Sequence, residues 1–132
     1  MSVQFSDDVR NARAAAIEAT VGASPTLEFR TEAKPANCAA ADVGIAVATV
    51  ALPADWLSAP AAGVISKVGV WVATALAAGA IGHYRIKQGA TCHEQGTVTI
   101  SGGGGDITID NPVTEIGQVI TVTGFTKTEP HA

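Results

Sequence analysis

Residues 80–125 read AIGHYRIKQGATCHEQGTVTISGGGGDITIDNPVTEIGQVITVTGF, and this stretch decides the fold. Its apolar residues recur at every second position, the period of a strand with one buried face. In 80–87, Tyr84 and Ile86 point inward while His83, Arg85 and Lys87 point outward. Val98 and Ile100 face in from 97–101, and Ile107 and Ile109 from 106–110. A last strand, 117–125, turns Ile120 and Val122 to the core. Turn formers separate the runs: a link at 89–96, four glycines at 102–105, and a break at Asn111-Pro112.

The same period extends upstream. In 67–74, Val68, Val70 and Val72 share one face, with Gly69 and Trp71 on the other. Residues 45–52 form a largely buried strand through Val47, and Leu27 and Phe29 alternate with Glu28 and Arg30 in the first. Between these two lies a small-residue loop, 33–44, holding Pro35, Asn37 and Asp42. A proline-led turn at 53–57 places Trp56 as a lid on the core, and 58–63 is a further Ala/Pro loop. No βαβ pattern occurs. The expectation is a mainly β fold, an antiparallel β-sandwich of about seven to eight strands over 26–125. Its core should hold Leu27, Phe29, Val47, Val70, Val72, Tyr84, Ile86, Val98, Ile100, Ile107, Ile109, Ile120 and Val122.

One N-terminal α-helix precedes the strands, at 6–21. Ser6 can cap it, Asp7 and Asp8 suit the positive end of its dipole, and Gly22 stops it. Val9, Ala12, Arg13, Ala16, Ile17 and Thr20 fall on one face, a thin stripe backed by alanine. Such a helix either lies on its own sheet or reaches a neighbouring subunit. The tail at 126–132 should fray.

At 132 residues the chain is one domain, 1–132. It is 47% hydrophobic and 15% charged, against about 25% charged in ordinary domains. That excludes a disordered chain and suits an assembled subunit with partly covered faces, so a homo-oligomer is expected. The net charge is −4, with eight scattered Lys and Arg, so no nucleic-acid partner is expected. The first ten residues lack the basic and apolar regions of a leader. The apolar run 64–81 carries Lys67 and several glycines, reads as strand, and predicts no membrane partner.

Two readings of Cys38 and Cys92 stay open. They are free thiols in a reducing cell, or a disulfide closing a loop of roughly 55 residues and contributing about 4 kcal/mol. Neither they nor His93 have metal-site spacing. The glycines at 102–105 lack the Lys-Ser/Thr of a phosphate loop, and Asp106 follows instead. Asp106 and Asp110 read as charges at strand ends. Ser66 and Ser101 lack a nucleophile elbow, and Cys92 is poorly placed to pair with its neighbour His93. No catalytic residue, metal, cofactor or small-molecule ligand is expected.

Several segments carry a resemblance. SVQFSDDVRNARAAAIEATVG, PANCAAADVG, ALPADWL, TCHEQGTVT, GGGGDITIDN and GQVITVTGFT occur in this order. The chain in this respect resembles small structural proteins of tailed bacteriophages, over nearly its whole length. The resemblance implies a non-enzymatic virion component, assembled in the host cytoplasm, that binds the major capsid protein or other virion proteins. A capsid decoration (cement) protein is the first expectation, and a neck- or tail-attached protein the second. The run VISKVGVWVATALAAGAIG is more apolar than that resemblance implies and marks a candidate contact. Expected assembly contacts are Phe5, Val9, Ile17, Val64, Ile65 and Trp71. A different class, a carbohydrate- or host-surface-binding β-sandwich module, would use Trp56, Trp71 and Tyr84 as stacking platforms.

Overall fold

The helix forms where the capping residues put it. In the computed structural model, which describes residues 3–132, α1 runs Asp7–Val21. Met1 and Ser2, the start of the segment read for a leader, lie outside the described residues. The Ser6 hydroxyl accepts from Val9 N–H at 3.3 Å, and Gly22, at φ 94°, donates to the Glu18 carbonyl. The helix is rotated from the expected face: Arg10, Ala14 and Val21 are buried with Ile17 against the core, while Val9, Ala12, Ala16 and Thr20 are not. Polar anchors set that rotation. Arg10 donates twice to the Glu129 carbonyl, and Asn11 Oδ1 and Glu18 Oε2 accept from the Gly63 and Leu57 amides. With so thin an apolar stripe, these bonds outweigh it. The helix packs on its own chain.

Nine strands follow: β1 Thr26–Thr31, β2 Ala46–Ala51, β3 Val64–Ser66, β4 Val72–Thr74, β5 Gly79–Gln88, β6 Thr91–Ile100, β7 Ile107–Ile109, β8 Val113–Thr114 and β9 Val119–Thr128. They do not form two facing antiparallel sheets. One curled sheet runs β2-β1-β5-β6-β7-β9-β3, with β4 also on β9 and β8 on β5. The curl brings its ends together, since Leu76, just past β4, donates to the Val47 carbonyl of β2 at 2.8 Å. The expected link at 89–96 is mostly strand, because Gly89 (φ 62°) turns the chain at once and β6 starts at Thr91.

The sheet is mixed because of the glycines at 102–105. β6 and β7 are parallel, Val98 level with Ile107 and Ile100 with Ile109, so the chain must double back between them. Parallel neighbours ordinarily need a crossover of a dozen or more residues. Here the return is short. Gly102 and Gly104 take left-handed φ values, and a Cβ on Gly103 or Gly105 would sit 2.7–2.8 Å from Thr99. The loop therefore folds onto Thr99, whose hydroxyl accepts from Gly105 N–H. The expected hairpin turn is instead a return loop. Asp106 closes it by accepting from Thr97 N–H and hydroxyl, and Asp110 accepts from the Thr121 amide.

Inside the curl, Trp56, Trp71, Phe125 and Tyr84 form a chain of aromatic contacts with centroids 5.4–6.4 Å apart. Trp56 Nε1 donates to the Gly22 carbonyl and Trp71 Nε1 to that of Val68, so both indoles are buried without an orphan donor. Ten of the thirteen expected core residues are buried; Val70, Val72 and Ile100 are exposed. The first two fail together. Seating Trp71 and Ala73 inward turns their neighbours out, and a one-residue change of register exchanges the faces. Ile100, the last residue of β6, is exposed although Ile109, level with it on β7, is buried.

The tail expected to fray is held. Thr126, Lys127 and Thr128 pair with β3, Glu129 N–H donates to the Gly63 carbonyl, and Phe5 N–H donates to that of His131. Among the described residues no helix is long and apolar enough to cross a membrane.

Two substitutions separate the observed register from the expected one. Ile107→Ala should cost about 2–5 kcal/mol in urea denaturation. Ile100→Ala should cost under about 1 kcal/mol. Equal losses would mean that Ile100 is core.

Candidate functional site

The strand register defines two ends of the curl. At one end lie the starts of β1, β3 and β6 and the ends of β2, β5 and β9. α1 closes this end: Gln88 of β5 donates to the Val21 and Ala23 carbonyls, and Arg13 pairs with Glu129 beyond β9. Among the described residues, no helix covers the opposite end. It gathers Ile45 ahead of β2, Leu76 after β4, Val113 of β8, and Ile116 and Val119 at the start of β9. These five aliphatic side chains are 56–75% exposed. Val72 and Ile100 add to the same end. Aliphatic side chains concentrated around one uncovered end are the usual mark of a protein contact.

The expected assembly contacts sit elsewhere. Phe5 and Val9 are exposed at the helix end, and Val64 is at the margin of exposure. Ile17 packs partly against the core. Ile65 and Trp71 are 2% and 0% exposed and belong to the chain's own interior, so they offer no surface to a partner. Trp56, Trp71 and Tyr84 are buried too, which removes the stacking platforms on which the carbohydrate reading relied. The Tyr84 hydroxyl donates to Glu94 at 2.6 Å; burial, then the Glu94 charge, push its pKa up, so it stays protonated.

A second site lies on the wall. His83, Arg85 and Lys87, expected to face solvent from β5, are 0–8% exposed. The segment 32–45 lies over them. Arg85 Nη1 meets Asp42 Oδ1 at 2.7 Å, Nη2 donates to the Asn37 and Ala40 carbonyls, and Nε and Nη2 share Gln95 Oε1. Lys87 bridges Asp42 (2.7 Å) and Glu28 (3.1 Å), and Glu28 also takes Arg30 at 2.9 Å. Arg30 donates onward to the Val43 and Gly44 carbonyls, and His83 Nδ1 to that of Glu32. Three cations thus meet two carboxylates. Lys87, then Arg85, hold the Asp42 carboxyl at about 2, against partial desolvation acting the other way.

The disulfide Cys38–Cys92 fastens this segment to β6. A cleft of about 620 Å³ opens between Cys38, Asp42, Arg85 and Cys92. All three guanidinium nitrogens of Arg85 already donate to protein acceptors, which leaves it ill placed to take an anion there. Among the described residues, no three His, Cys, Asp or Glu side chains converge as a metal site would require.

Sequence reasoning missed both features. Alternating charges on 28–30 and 83–87 are the signal for the wall cluster, because paired strands place Glu28 opposite Arg85. For the open end the signal is Leu76 and Ile116, aliphatics in turn segments where a solvated loop has no need of them. No protein-family model, curated protein or solved structure matches the chain.

Asp42→Asn leaves Arg85 and Lys87 short of a counter-charge and should cost about 1–3 kcal/mol, since the site is partly exposed. The carboxyl's folded pKa, about 2, lies below its ordinary 3.8. Its contribution is therefore present above pH 4 and lost as pH falls through about 2. Acid titrations of the parent and Asp42→Asn should converge over that window. Parallel curves would show that Asp42 is not the linked group.

Proposed function

We propose that this chain is a non-enzymatic structural subunit of a tailed-bacteriophage virion, binding other virion proteins as a decoration on the capsid. The observation that carries the assembly reading is the aliphatic open end. Burying five such side chains is worth about 1.5–3 kcal/mol each when complete, enough to drive association once entropy is offset. The other end is closed by α1, so the chain has one face built for itself and one left for a partner. The resemblance in segment order supplies the virion context, and the low charge suits a subunit among others. A neck or tail position uses the same surface with fewer copies.

The test joins binding to particle composition. Leu76→Asp combined with Ile116→Asp should leave the circular dichroism and stability nearly unchanged, since both positions are exposed. The same variant should lose association with purified particles in co-sedimentation. A variant that still binds would move the contact elsewhere. Quantitative mass spectrometry of particles should find copies comparable to the major capsid protein; a much smaller ratio would place the chain at the neck or tail, and absence would end the virion reading.

A further inference from the structure

The segment 32–45 is held without any apolar anchor. It forms neither helix nor strand, and none of its residues is buried or belongs to the hydrophobic core. Underneath it, His83 and Arg85 are 0% and 2% exposed. What holds it down is polar: Asp42 on Arg85 and Lys87, backbone carbonyls on Arg30, His83 and Arg85, Gln95 on the Pro35 carbonyl, and the bond from Cys38 to Cys92. Segments with few buried apolar contacts open at a lower free energy than the core they cover. The disulfide is the one attachment in that set that water cannot replace.

We infer that 32–45 is a redox-latched cover. Reduction of Cys38–Cys92 by a dithiol lets it open locally while the curled sheet stays folded. The dithiol gives two electrons and two protons, the S–S bond breaks, both cysteines become thiols, and the dithiol closes to its own disulfide. Opening carries Asp42 away. Arg30, Arg85 and Lys87 are then left against Glu28 as the one carboxylate, and the wall's excess of one cation becomes an excess of two on a chain of net charge −4. In a reducing compartment the cover is free to open; in an oxidising one it is locked. This inference does not rest on the virion reading.

Limited proteolysis with elastase tests it, because Ala39, Ala40 and Ala41 offer cleavage sites in the cover. Dithiothreitol should speed cutting within 36–43 at least ~10-fold, the ratio expected when about 1.4 kcal/mol leaves the opening equilibrium. Emission from the buried Trp56 and Trp71 should not change, and the reduced protein should bind a cation exchanger more tightly. Cutting that is no faster after reduction would show that the ion cluster alone holds the cover. A red-shifted emission would show that the bond staples the whole fold. Either result overturns the inference. Oxidised Asp42→Asn loses the ion pairs that help hold the cover and should be cut faster than the oxidised parent, and reduction should speed its cutting at least ~10-fold further; no further gain on reduction would make Asp42 the latch instead of the bond.

Discussion

The pairing of Arg85 with Asp42 is the contact on which the wall of this molecule depends. β5 is a central strand with both faces covered, one by the aromatic interior and one by 32–45. A strand covered on both sides is ordinarily apolar throughout, because a buried charge without a partner costs several kcal/mol. This strand keeps three ionisable side chains on its outer face instead. It is permitted to do so only because a loop distant in sequence returns a carboxylate, a row of carbonyls and a disulfide to the same place. Remove Asp42 and the donors of Arg85 and Lys87 exceed their acceptors. The cover is then a condition of the strand's burial, as well as a beneficiary of it.

How much was legible follows from where the information lies. Period-two alternation in 84–86, 107–109 and 120–122 is local, and those residues are buried as their spacing requires. Ser6, Asp7 and Gly22 marked the ends of α1 because capping is local too. What failed was non-local. His83, Arg85 and Lys87 read as solvent-facing since nothing nearby in sequence says that residues 32–45 will lie over them. The helix rotation was set by carbonyls and amides at 57, 63 and 129, which apolar periodicity does not register. The four glycines marked a turn, but whether a turn yields antiparallel or parallel neighbours depends on Thr99, against which the loop folds.

Two of the expected assembly contacts, Ile65 and Trp71, are buried for a related reason. Large apolar residues such as Trp71 and Ile65 attract attention as interface anchors, yet size and hydrophobicity also make them the first to enter a chain's own core. What remained outside were medium aliphatics in short connections, Leu76 and Ile116 among them, inconspicuous one at a time. They become a surface only when the register of β4, β5, β8 and β9 brings them to one end. A surface gathered this way is a property of topology, and composition reports it only as a chain poor in charge.

The two ends of the curl are therefore chemically unequal, and that inequality constrains how the molecule can assemble. The helix end is closed by directional bonds: guanidinium to carbonyl at Arg10, carboxylate to amide at Glu18, and the clasp of Phe5 on His131. Such bonds fix geometry and leave little apolar area to bury. The open end is the reverse, with aliphatic side chains and few fixed partners. Burial of such a surface would be driven by desolvation, which is non-directional, so orientation would have to come from the shape of what covers it. A polar, latched wall alongside adds charge without adding apolar area. The two ends and the wall between them thus differ in kind: directional bonds at one end, exposed aliphatic side chains at the other, and between them a polar cover fastened by a disulfide.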